Sequence, residues 1–296
     1  MLSLIVNPVA GGGRAGRALP GVRRELGRLG LEHRVEPTKS LDHARELARA
    51  AAQAGEMVVA FGGDGTVGAV AGALKETDAV LGILPGGRGN DFARVIGLPR
   101  SPVAACATLA DGDVTSVDLG QAGGKTFIGI ATSGFDSEAN RVANNARFVP
   151  DGLVYAYGGV RVLLSWKPAT FTITLDGVEH SLYGYSVAVA NSPSHGAGMR
   201  LAPEASVYDG MFDVVMVSHS SKLEFLRQLP NVFKGTHVDS PLVHIVRAKT
   251  VEVACDRSFT TYADGDPLTV LPATFTVLPG AIRVKVPGTA AKDRAA

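Results

Sequence analysis

Short apolar runs alternate with longer segments of helical periodicity over the first part of the chain. The short runs predict buried strands, and the longer segments predict amphipathic helices. The predicted strands are Leu2–Val6, Leu31–Val35, Met57–Phe61, Val80–Leu84 and Thr115–Leu119, and the predicted helices are Arg14–Leu29, Leu41–Ala54 and Ser101–Leu109. This alternation is typical of an α/β domain with a mainly parallel sheet, which we predict over residues 1–120.

Beyond residue 120 the pattern changes to short β-rich runs separated by turn residues. The predicted strands are Thr170–Leu175, Tyr185–Ala190, Phe212–Val217, Leu242–Val246, Thr250–Ala254, Ala273–Leu278 and Ile282–Val286, and the predicted helices are Asp151–Trp166 and Lys222–Phe233. Such spacing predicts a mainly antiparallel β-sandwich domain over residues 121–286. The small and polar residues 287–296 predict a disordered tail.

Composition narrows the class of protein. A length of 296 residues with 46% hydrophobic and 19% charged residues indicates a globular protein of about two domains. The 29 basic and 28 acidic residues nearly balance, which argues against nucleic acid as the main partner. Cys106 and Cys255 lie far apart without the spacing of metal ligands, as expected for core residues in a reducing compartment.

The beginning of the chain carries no basic segment, and no apolar run reaches the length of about 18 residues that a membrane span needs. We therefore expect a cytoplasmic protein. Any contact with a membrane would be peripheral.

One glycine-rich segment stands between a buried strand and a small-residue helix. Its residues are Gly62, Gly63, Asp64, Gly65 and Thr66. The glycines let backbone N–H groups approach a phosphate, and the helix N-terminus adds partial positive charge. A carboxylate beside phosphates is repelled unless a cation lies between them, so Asp64 favours a Mg²⁺-nucleotide. The alternative is a tight turn in which Asp64 or Thr66 caps the helix.

Further polar segments follow other predicted strands of the first domain. They are Asn7-Pro8-Val9-Ala10-Gly11, Thr38, and the loop Pro85–Phe92 with Arg88 and Asn90. Ligands of open α/β sheets bind outside the carboxyl ends of the strands, so these segments predict one composite nucleotide site. The alternatives are a simple turn at Asn7-Pro8 and a solvated surface charge at Arg88.

Several motifs occur in an order that resembles a known family. They are Asn7-Pro8-x-x-Gly11, Gly62–Thr66, Pro85-x-Gly87-x-x-Asn90-Asp91-Phe92-Ala93-Arg94, Ala202-Pro203-Glu204-Ala205 with Asp209-Gly210, and Ala263-Asp264-Gly265-Asp266-Pro267. Over residues 1–286 the chain resembles the diacylglycerol kinase catalytic family, specifically the soluble bacterial lipid kinases, with sphingosine and ceramide kinases as relatives. The Gly-Gly-Asp-Gly motif alone is also shared with NAD kinases and 6-phosphofructokinases, whose fold the first domain is expected to resemble.

The resemblance implies roles for individual residues. ATP would be held by Asn7–Gly11, Thr38, Gly63–Thr66 and the loop at Arg88, with Asp64 at the phosphate–Mg²⁺ centre. Asp91 and Asp118 match acidic positions that the family connects to Asp64 through metal and water. Asp209, with the backbone carbonyls of Ser206 and Met211, matches a structural Mg²⁺ site, and Asp266 matches the general base.

The chain departs from the family pattern at three places. Val67-Gly68-Ala69 stands where the family has Leu-Asn-Glu, so a polar contact is missing there. Arg88 replaces a threonine, and its guanidinium would compensate by pairing with phosphate. Asp266 replaces a glutamate and is one methylene shorter.

Local structure offers alternatives for several of these carboxylates. Asp118 could simply end a strand, and Asp209-Gly210 and Asp264-Gly265 are plausible turn pairs. The functional role of Asp266 is favoured because phosphoryl transfer to an alcohol needs an acceptor for the alcohol proton.

An apolar stripe in the predicted helix Lys222–Phe233 also has two interpretations. Its members are Leu223, Leu226, Leu229, Val232 and Phe233, with Lys222, Arg227 and Lys234 nearby. It could lie on a membrane surface. We favour the commoner arrangement, in which such a stripe faces the core.

These observations predict an ATP- and Mg²⁺-dependent kinase that phosphorylates a hydroxyl of a diacylglycerol-like lipid, with catalysis in a cleft between two domains. The alternatives are an NAD kinase-like enzyme acting on a soluble substrate, and a catalytically weak nucleotide-binding regulator, for which Gly68, Ala69 and Asp266 are the hints. Peripheral membrane contact and a homodimer remain open.

Overall fold

The chain divides into two units, of which the first comprises Met1–Leu119 and the chain from Pro279 onward, and the second comprises Gly120–Leu278. This computed structural model describes residues 1–145, 154–196 and 198–288. The predicted tail lies mostly outside the described residues, because its residues 289–296 are not among them.

The first unit contains a parallel sheet between helices. Its elements are β1 (Leu2–Val6), α1 (Ala10–Arg28), β2 (His33–Pro37), α2 (Leu41–Gln53), β3 (Met57–Gly62), α3 (Asp64–Leu74), β4 (Val80–Pro85), α4 (Asp91–Val95), α5 (Pro102–Asp111) and β5 (Asp113–Ala122), whose last residues enter the second unit. β1 pairs in parallel with β2 and β3, and β3 pairs in parallel with β4. All five residues of β1 are buried, as expected of a strand that is covered on both faces. The predicted α/β fold is confirmed.

Helix α1 differs from its prediction at the start. It was expected from Arg14, but its first residue is Ala10, and Gly11, Gly12 and Gly13 have left-handed backbone angles. Pro20 lies inside the helix without ending it. The glycines therefore form a distinct turn between β1 and the regular part of α1.

The last strand, β15 (Ala273–Val286), is shared between the two units, whereas the sequence placed its whole length in the second domain. Arg283 and Val284 pair in parallel with β4, and Gly280 N–H donates to the Asp118 carboxylate at 2.7 Å. By their contacts, residues from Pro279 onward group with the first unit. The two predicted strands Ala273–Leu278 and Ile282–Val286 are one continuous strand.

The second unit is the predicted β-sandwich, with strands that pair antiparallel. Its elements are β6 (Lys125–Phe127), β7 (Ile130–Gly134), α6 (Phe135–Asn145), α7 (Val154–Ser165), β8 (Ala169–Leu175), β9 (Val178–Ala190), β10 (Phe212–Ser218), α8 (Lys222–Lys234), a 3₁₀ turn (Thr236–Asp239), β11 (Val243–Ala248), β12 (Thr250–Cys255), β13 (Thr260–Ala263), β14 (Asp266–Val270) and the first part of β15. β9 pairs with β7, β8 and β10. The aromatic rings of Phe127, Phe212 and Phe275 pack together in its core.

The sequence did not predict β6, β7, β13, β14 or α6, which are short or mixed in polarity. The predicted helix Asp151–Trp166 is observed as α7 from Val154, and residues 151–153 lie outside the described residues. Among the described residues, no helix is both long and apolar enough to cross a bilayer.

Helix α8 contradicts the preference for a core-facing stripe. None of its residues is buried, and Leu223, Leu226, Leu229 and Phe233 are exposed. Of the predicted stripe, only Val232 is partly buried. The prediction that this apolar stripe faces the core was wrong.

Candidate active site

The polar segments at the carboxyl ends of the first unit's strands lie together, as the sequence predicts. Asn7 N–H donates to Phe61 O at 2.9 Å, which joins the ends of β1 and β3. Gly86 N–H donates to Gly62 O at 2.7 Å, which joins the ends of β3 and β4. Thr38, at the end of β2, donates its N–H to the last residue of β1 at 2.8 Å.

Glycine is required where the loops touch. A Cβ atom at Gly87 would lie 2.4 Å from Gly63 Cα, well inside van der Waals contact. Gly11 has a φ of +59°, and a Cβ atom there would lie 2.5 Å from Gly86 O. The three loops therefore approach each other backbone to backbone, which leaves main-chain groups at this edge available to a ligand.

Asn7 and Thr66 form a hydrogen bond beneath these loops. Asn7 Nδ2 donates to Thr66 Oγ1 at 3.2 Å, and Asn7 Oδ1 accepts the N–H of Val9 at 3.3 Å. Thr66 is buried in the first turn of α3. Both side chains thus hold the loop geometry in this structure.

Asp64 begins α3 and lies beside Asp91, which begins α4. Asp64 Oδ1 accepts the N–H of Phe92 at 3.1 Å. Burial, and then the negative charge of Asp91, raise the pKa of the Asp64 carboxyl above its ordinary value. A Cβ atom placed on Gly89 would lie 3.0 Å from Asp64 Oδ2 and 2.9 Å from Asp91 Oδ2, so both carboxylates flank this glycine.

These two carboxylates fit a magnesium ion by their chemistry. Carboxylate oxygen atoms are preferred ligands of Mg²⁺, and few protein carboxylates are needed when phosphates supply the rest. Burial, and then the charge of Asp91, disfavour ionised Asp64, although Arg94 pairs with Asp91 at 2.6 Å. A divalent cation between the two carboxylates would favour their ionised forms.

Asp118 makes a contact within the first unit. It is buried on β5, and its Oδ1 accepts the N–H of Gly280. Within residues 1–145, 154–196 and 198–288, no three His, Cys, Asp or Glu side chains are grouped so as to hold a metal ion. A connection from Asp118 to Asp64 through metal and water stays a prediction.

The loop that carries Arg88 is shaped by Asn90. Asn90 has a φ of +51°, its Oδ1 accepts the N–H of Gly87 at 2.7 Å, and its Nδ2 donates to Gly87 O at 3.1 Å. Arg88 is exposed between these two residues. Thr38 is partly buried, and its Oγ1 donates to Ser40 O at 2.6 Å. Asn90 therefore stabilises the loop through its two hydrogen bonds to Gly87. Nucleotide contacts of Arg88 and Thr38 stay predictions.

In the second unit, Asp264 lies in the β13–β14 hairpin turn, and Asp266 is the first residue after it. Asp264 and Gly265 have φ angles of +53° and +92°, as in a type I′ turn. The Asp264 carboxylate accepts two backbone N–H groups, those of Ile128 and Gly129, each at 2.9 Å. Asp266 begins β14 and is exposed. Sequence reasoning missed the role of Asp264, which fixes the turn that presents Asp266.

Asp209 is paired with an arginine. Its Oδ1 accepts the N–H of Met211 at 3.1 Å, and its Oδ2 forms an ion pair with Arg247 Nη2. Ser206 Oγ accepts the N–H of Tyr208 at 3.3 Å. The guanidinium supplies positive charge where a structural Mg²⁺ was expected, so the metal assignment of Asp209, Ser206 and Met211 stays a prediction.

Sequence reasoning also missed a polar cluster at a cavity of about 90 Å³ in the second unit. Asp136, His195 and His237 line the cavity together with apolar residues of α8. Burial raises the pKa of the Asp136 carboxyl and lowers the pKa of the His237 imidazole. His237 Nε2 lies 3.0 Å from Leu201 O, and its Nδ1 has no hydrogen-bond partner among the described residues.

Comparison with known proteins identifies the family. Residues 1–122 match the model of the diacylglycerol kinase catalytic domain, and residues 129–286 match the YegS C-terminal NAD kinase beta sandwich-like domain. A diacylglycerol kinase of Mycobacterium tuberculosis is 35% identical over 97% of this chain and 95% of its own. The chain belongs to the diacylglycerol kinase family.

Two further relatives agree with this membership. A Pseudomonas aeruginosa protein named "Probable lipid kinase YegS-like" is 32% identical over 96% of this chain and 93% of its own. A crystal structure of a diacylglycerol kinase of Bacillus anthracis str. Sterne has the same fold, with a TM-score of 0.77 and 23% identity over 98% of this chain and 97% of that one. The chain is therefore a kinase, and its relatives support a lipid kinase over the NAD kinase-like alternative.

Proposed function

We propose that this member of the diacylglycerol kinase family uses ATP and Mg²⁺ to phosphorylate a hydroxyl of a diacylglycerol-like lipid. The observation that carries the proposal is the pair of carboxylates, Asp64 and Asp91, at the glycine-rich ends of β3 and β4. Phosphates bind at such strand ends and helix N-termini. The two carboxylates would bind a cation that lies between the protein and the phosphates.

The nucleotide is assigned to the first unit. The backbone-to-backbone packing of Gly11, Gly63 and Gly87 keeps side chains away from the strand ends, where phosphates would lie. The N-terminus of α3 would add favourable partial charge. Arg88, exposed on the next loop, is assigned to pair with phosphate oxygen atoms.

Magnesium is assigned to Asp64 and Asp91. When bound, it would neutralise charge on the phosphate groups. Both carboxylates are held in place by the protein itself, Asp64 by the N–H of Phe92 and Asp91 by Arg94. These contacts would hold the ligand atoms in place before a metal ion binds.

Asp266 is assigned as the general base. An alcohol that attacks a phosphoryl group must lose its proton, and a carboxylate oxygen within hydrogen-bond distance accepts it. The neighbouring Asp264 uses its oxygen atoms for the N–H groups of Ile128 and Gly129, whereas Asp266 is exposed at the end of the same turn. This difference favours Asp266 over Asp264 as the general base.

The decisive experiment measures ADP release and lipid labelling together. Protein is incubated with labelled ATP and a total lipid extract, with Mg²⁺ or with a chelator, and with NAD in place of lipid as a control. We expect label in a diacylglycerol-like lipid only when Mg²⁺ is present. ADP release that is unaffected by lipid, or label transferred to NAD, would refute the proposal, and nucleotide binding without turnover would favour a regulator.

A further inference from the structure

The turn that presents Asp266 is attached to the end of the β5–β6 hairpin. The two carboxylate contacts of Asp264 go to Ile128 and Gly129, which follow β6 directly in the chain. These hydrogen bonds hold the turn itself. They do not reach β14, the strand that starts with Asp266.

The pairing of β14 with β13 is irregular near its start. The register between the two strands shifts between Thr261 and Tyr262, which lie opposite the first residues of β14. A shift of this kind leaves part of the main-chain ladder disrupted. Pro267, the second residue of β14, also has no N–H group to donate. The backbone that carries Asp266 therefore depends on contacts other than those of a regular strand.

Lys125 of β6 supplies one such contact. Its Nζ atom donates a hydrogen bond to Pro267 O at 3.3 Å, and Pro267 directly follows Asp266. The two bonded residues are 142 positions apart, so this bond connects β6 to β14 across the second unit. A charged donor forms a hydrogen bond that is about twice as strong as that of a neutral donor.

The backbone of the same hairpin also touches β14. A Cβ atom at Gly123, in the turn between β5 and β6, would lie 2.8 Å from Thr269 Oγ1 and 3.1 Å from Thr269 Cβ. The absence of a side chain at Gly123 allows this close approach. The hairpin therefore packs on β14, and Lys125 reaches Pro267 from a backbone that is itself held beside this strand.

An exposed lysine usually carries only a solvated charge, and Lys125 is exposed. Its contact is different because the carbonyl it binds belongs to the residue next to the assigned general base. Moving a reacting group by about 1 Å lowers a rate by about 10²-fold, so a contact that contributes little to stability can still control the rate. We propose that Lys125 is a positioning residue, which holds the start of β14 so that the Asp266 carboxylate can accept the proton of the lipid hydroxyl.

This inference rests on the proposed function, because it requires Asp266 to be the base. The experiment therefore measures the effect of a Lys125 substitution twice, once in the unaltered protein and once in Asp266→Asn. Initial rates are measured with labelled ATP and a water-soluble short-chain diacylglycerol, so that binding to a bilayer does not enter the result. Thermal melting checks that each variant is folded.

Lys125→Met keeps an unbranched side chain and removes the charged donor. We expect it to lower kcat about 10- to 100-fold, with KM for ATP unchanged and with little change in Tm, because the residue is exposed. Lys125→Arg keeps a charged donor and should retain most of kcat. In Asp266→Asn, the added Lys125→Met should cause no further loss, because a positioning residue acts only through the group that it positions.

The matched control is Lys222→Met. Lys222 is also exposed, and its Nζ donates to a main-chain carbonyl, Leu164 O, at 2.8 Å. This contact lies between α7 and α8 and does not involve β14. The control should therefore turn over the soluble substrate like the unaltered protein.

Two results would overturn the inference directly, namely an unchanged kcat in Lys125→Met or an equal loss in Lys222→Met. A loss of the same factor when Lys125→Met is added to Asp266→Asn would also overturn it, because Lys125 would then act on the phosphate or the lipid itself. Full kcat in Asp266→Asn would refute the base assignment and this inference with it. That failure belongs to the proposed function, and it is seen without any change at Lys125.

Discussion

Asp264 and Asp266 lie two positions apart, and we expect their substitutions to affect different properties of the protein. Asp264→Asn should lower stability and leave most of the catalytic rate, whereas Asp266→Asn should lower the rate and leave stability unchanged. The reason is geometric, since Asp264 accepts two backbone N–H groups and Asp266 is exposed at the other end of the turn.

The stability loss can be worked out from the contacts of Asp264. Hydrogen bonds to charged groups contribute about 1.5–3 kcal/mol each. Asparagine tolerates the positive φ of this position and keeps one acceptor oxygen, so about one of the two bonds is lost. For a unit of this size each kcal/mol lowers Tm by about 2–4 °C, which gives a decrease of about 3–12 °C.

The rate loss at Asp266 follows from its assigned role. Removing a positioned base costs about 10²–10⁴ in kcat, while KM for ATP should change little because Asp266 contacts no part of the nucleotide in this assignment. An exposed substitution of this kind changes the free energy of unfolding by about 0.5 kcal/mol or less. Asp266→Glu restores the family's residue and should retain activity.

Both quantities are measured on the same preparations, by thermal melting and by initial rates at saturating ATP with increasing lipid. If Asp264→Asn abolished turnover at an unchanged Tm while Asp266→Asn kept full kcat, the assignments would be reversed. If each of the two variants lost turnover while its Tm stayed unchanged, the two carboxylates would act together on the hydroxyl.

Three further predictions concern charge. Because the pKa of Asp64 is raised, the native state holds this proton more tightly, so the contribution of Asp64 to stability falls as pH rises from about 3.9 through the raised value. At neutral pH Asp64→Asn should therefore raise the Tm of the metal-free protein while abolishing Mg²⁺-dependent turnover, and a lower Tm would contradict the unfavourable burial of the Asp64 charge beside Asp91. Arg88→Ala should raise KM for ATP about tenfold, the loss of one charged hydrogen bond, and an unchanged KM would make Arg88 a surface charge. Asp209→Asn should reduce the free energy of unfolding by about 1 kcal/mol or less, because it weakens an exposed ion pair with Arg247. If Mg²⁺ raised the Tm of the unaltered protein but not that of Asp209→Asn, Asp209 would belong to a metal site.

The convergence of loops in the first unit could be predicted because it depends on local patterns. Buried strands such as Leu2–Val6 and Met57–Gly62 appear as apolar runs, and parallel pairing brings their carboxyl ends to one edge. The role of Asp264 could not be predicted in this way. Its partner Gly129 is 135 positions away, and a sequence shows only that Asp264-Gly265 is suited to a turn.

The direction of α8 was also beyond the local pattern. An apolar stripe with flanking cations has the same spacing whether it faces the core or a membrane. The orientation depends on which neighbours the second unit supplies, and it supplies Tyr185 and Phe135 as packing partners for Phe225. For β15, two apolar runs separated by Pro279 suggested two strands, and the pairing with β4 that joins its end to the first unit involves residues distant in sequence.

The carboxylates at the strand ends show how the fold prepares the site. Burial, and in addition the negative charge of Asp91, disfavours the charged form of Asp64. The two carboxylates stay together because the backbone around them is closely packed, with Gly63 against Gly87 and Phe92 N–H on Asp64. A side chain at either glycine would separate the loops and relax the repulsion. The glycines therefore do more than make room for phosphate, since they hold negative charge concentrated where a divalent cation gains most from binding.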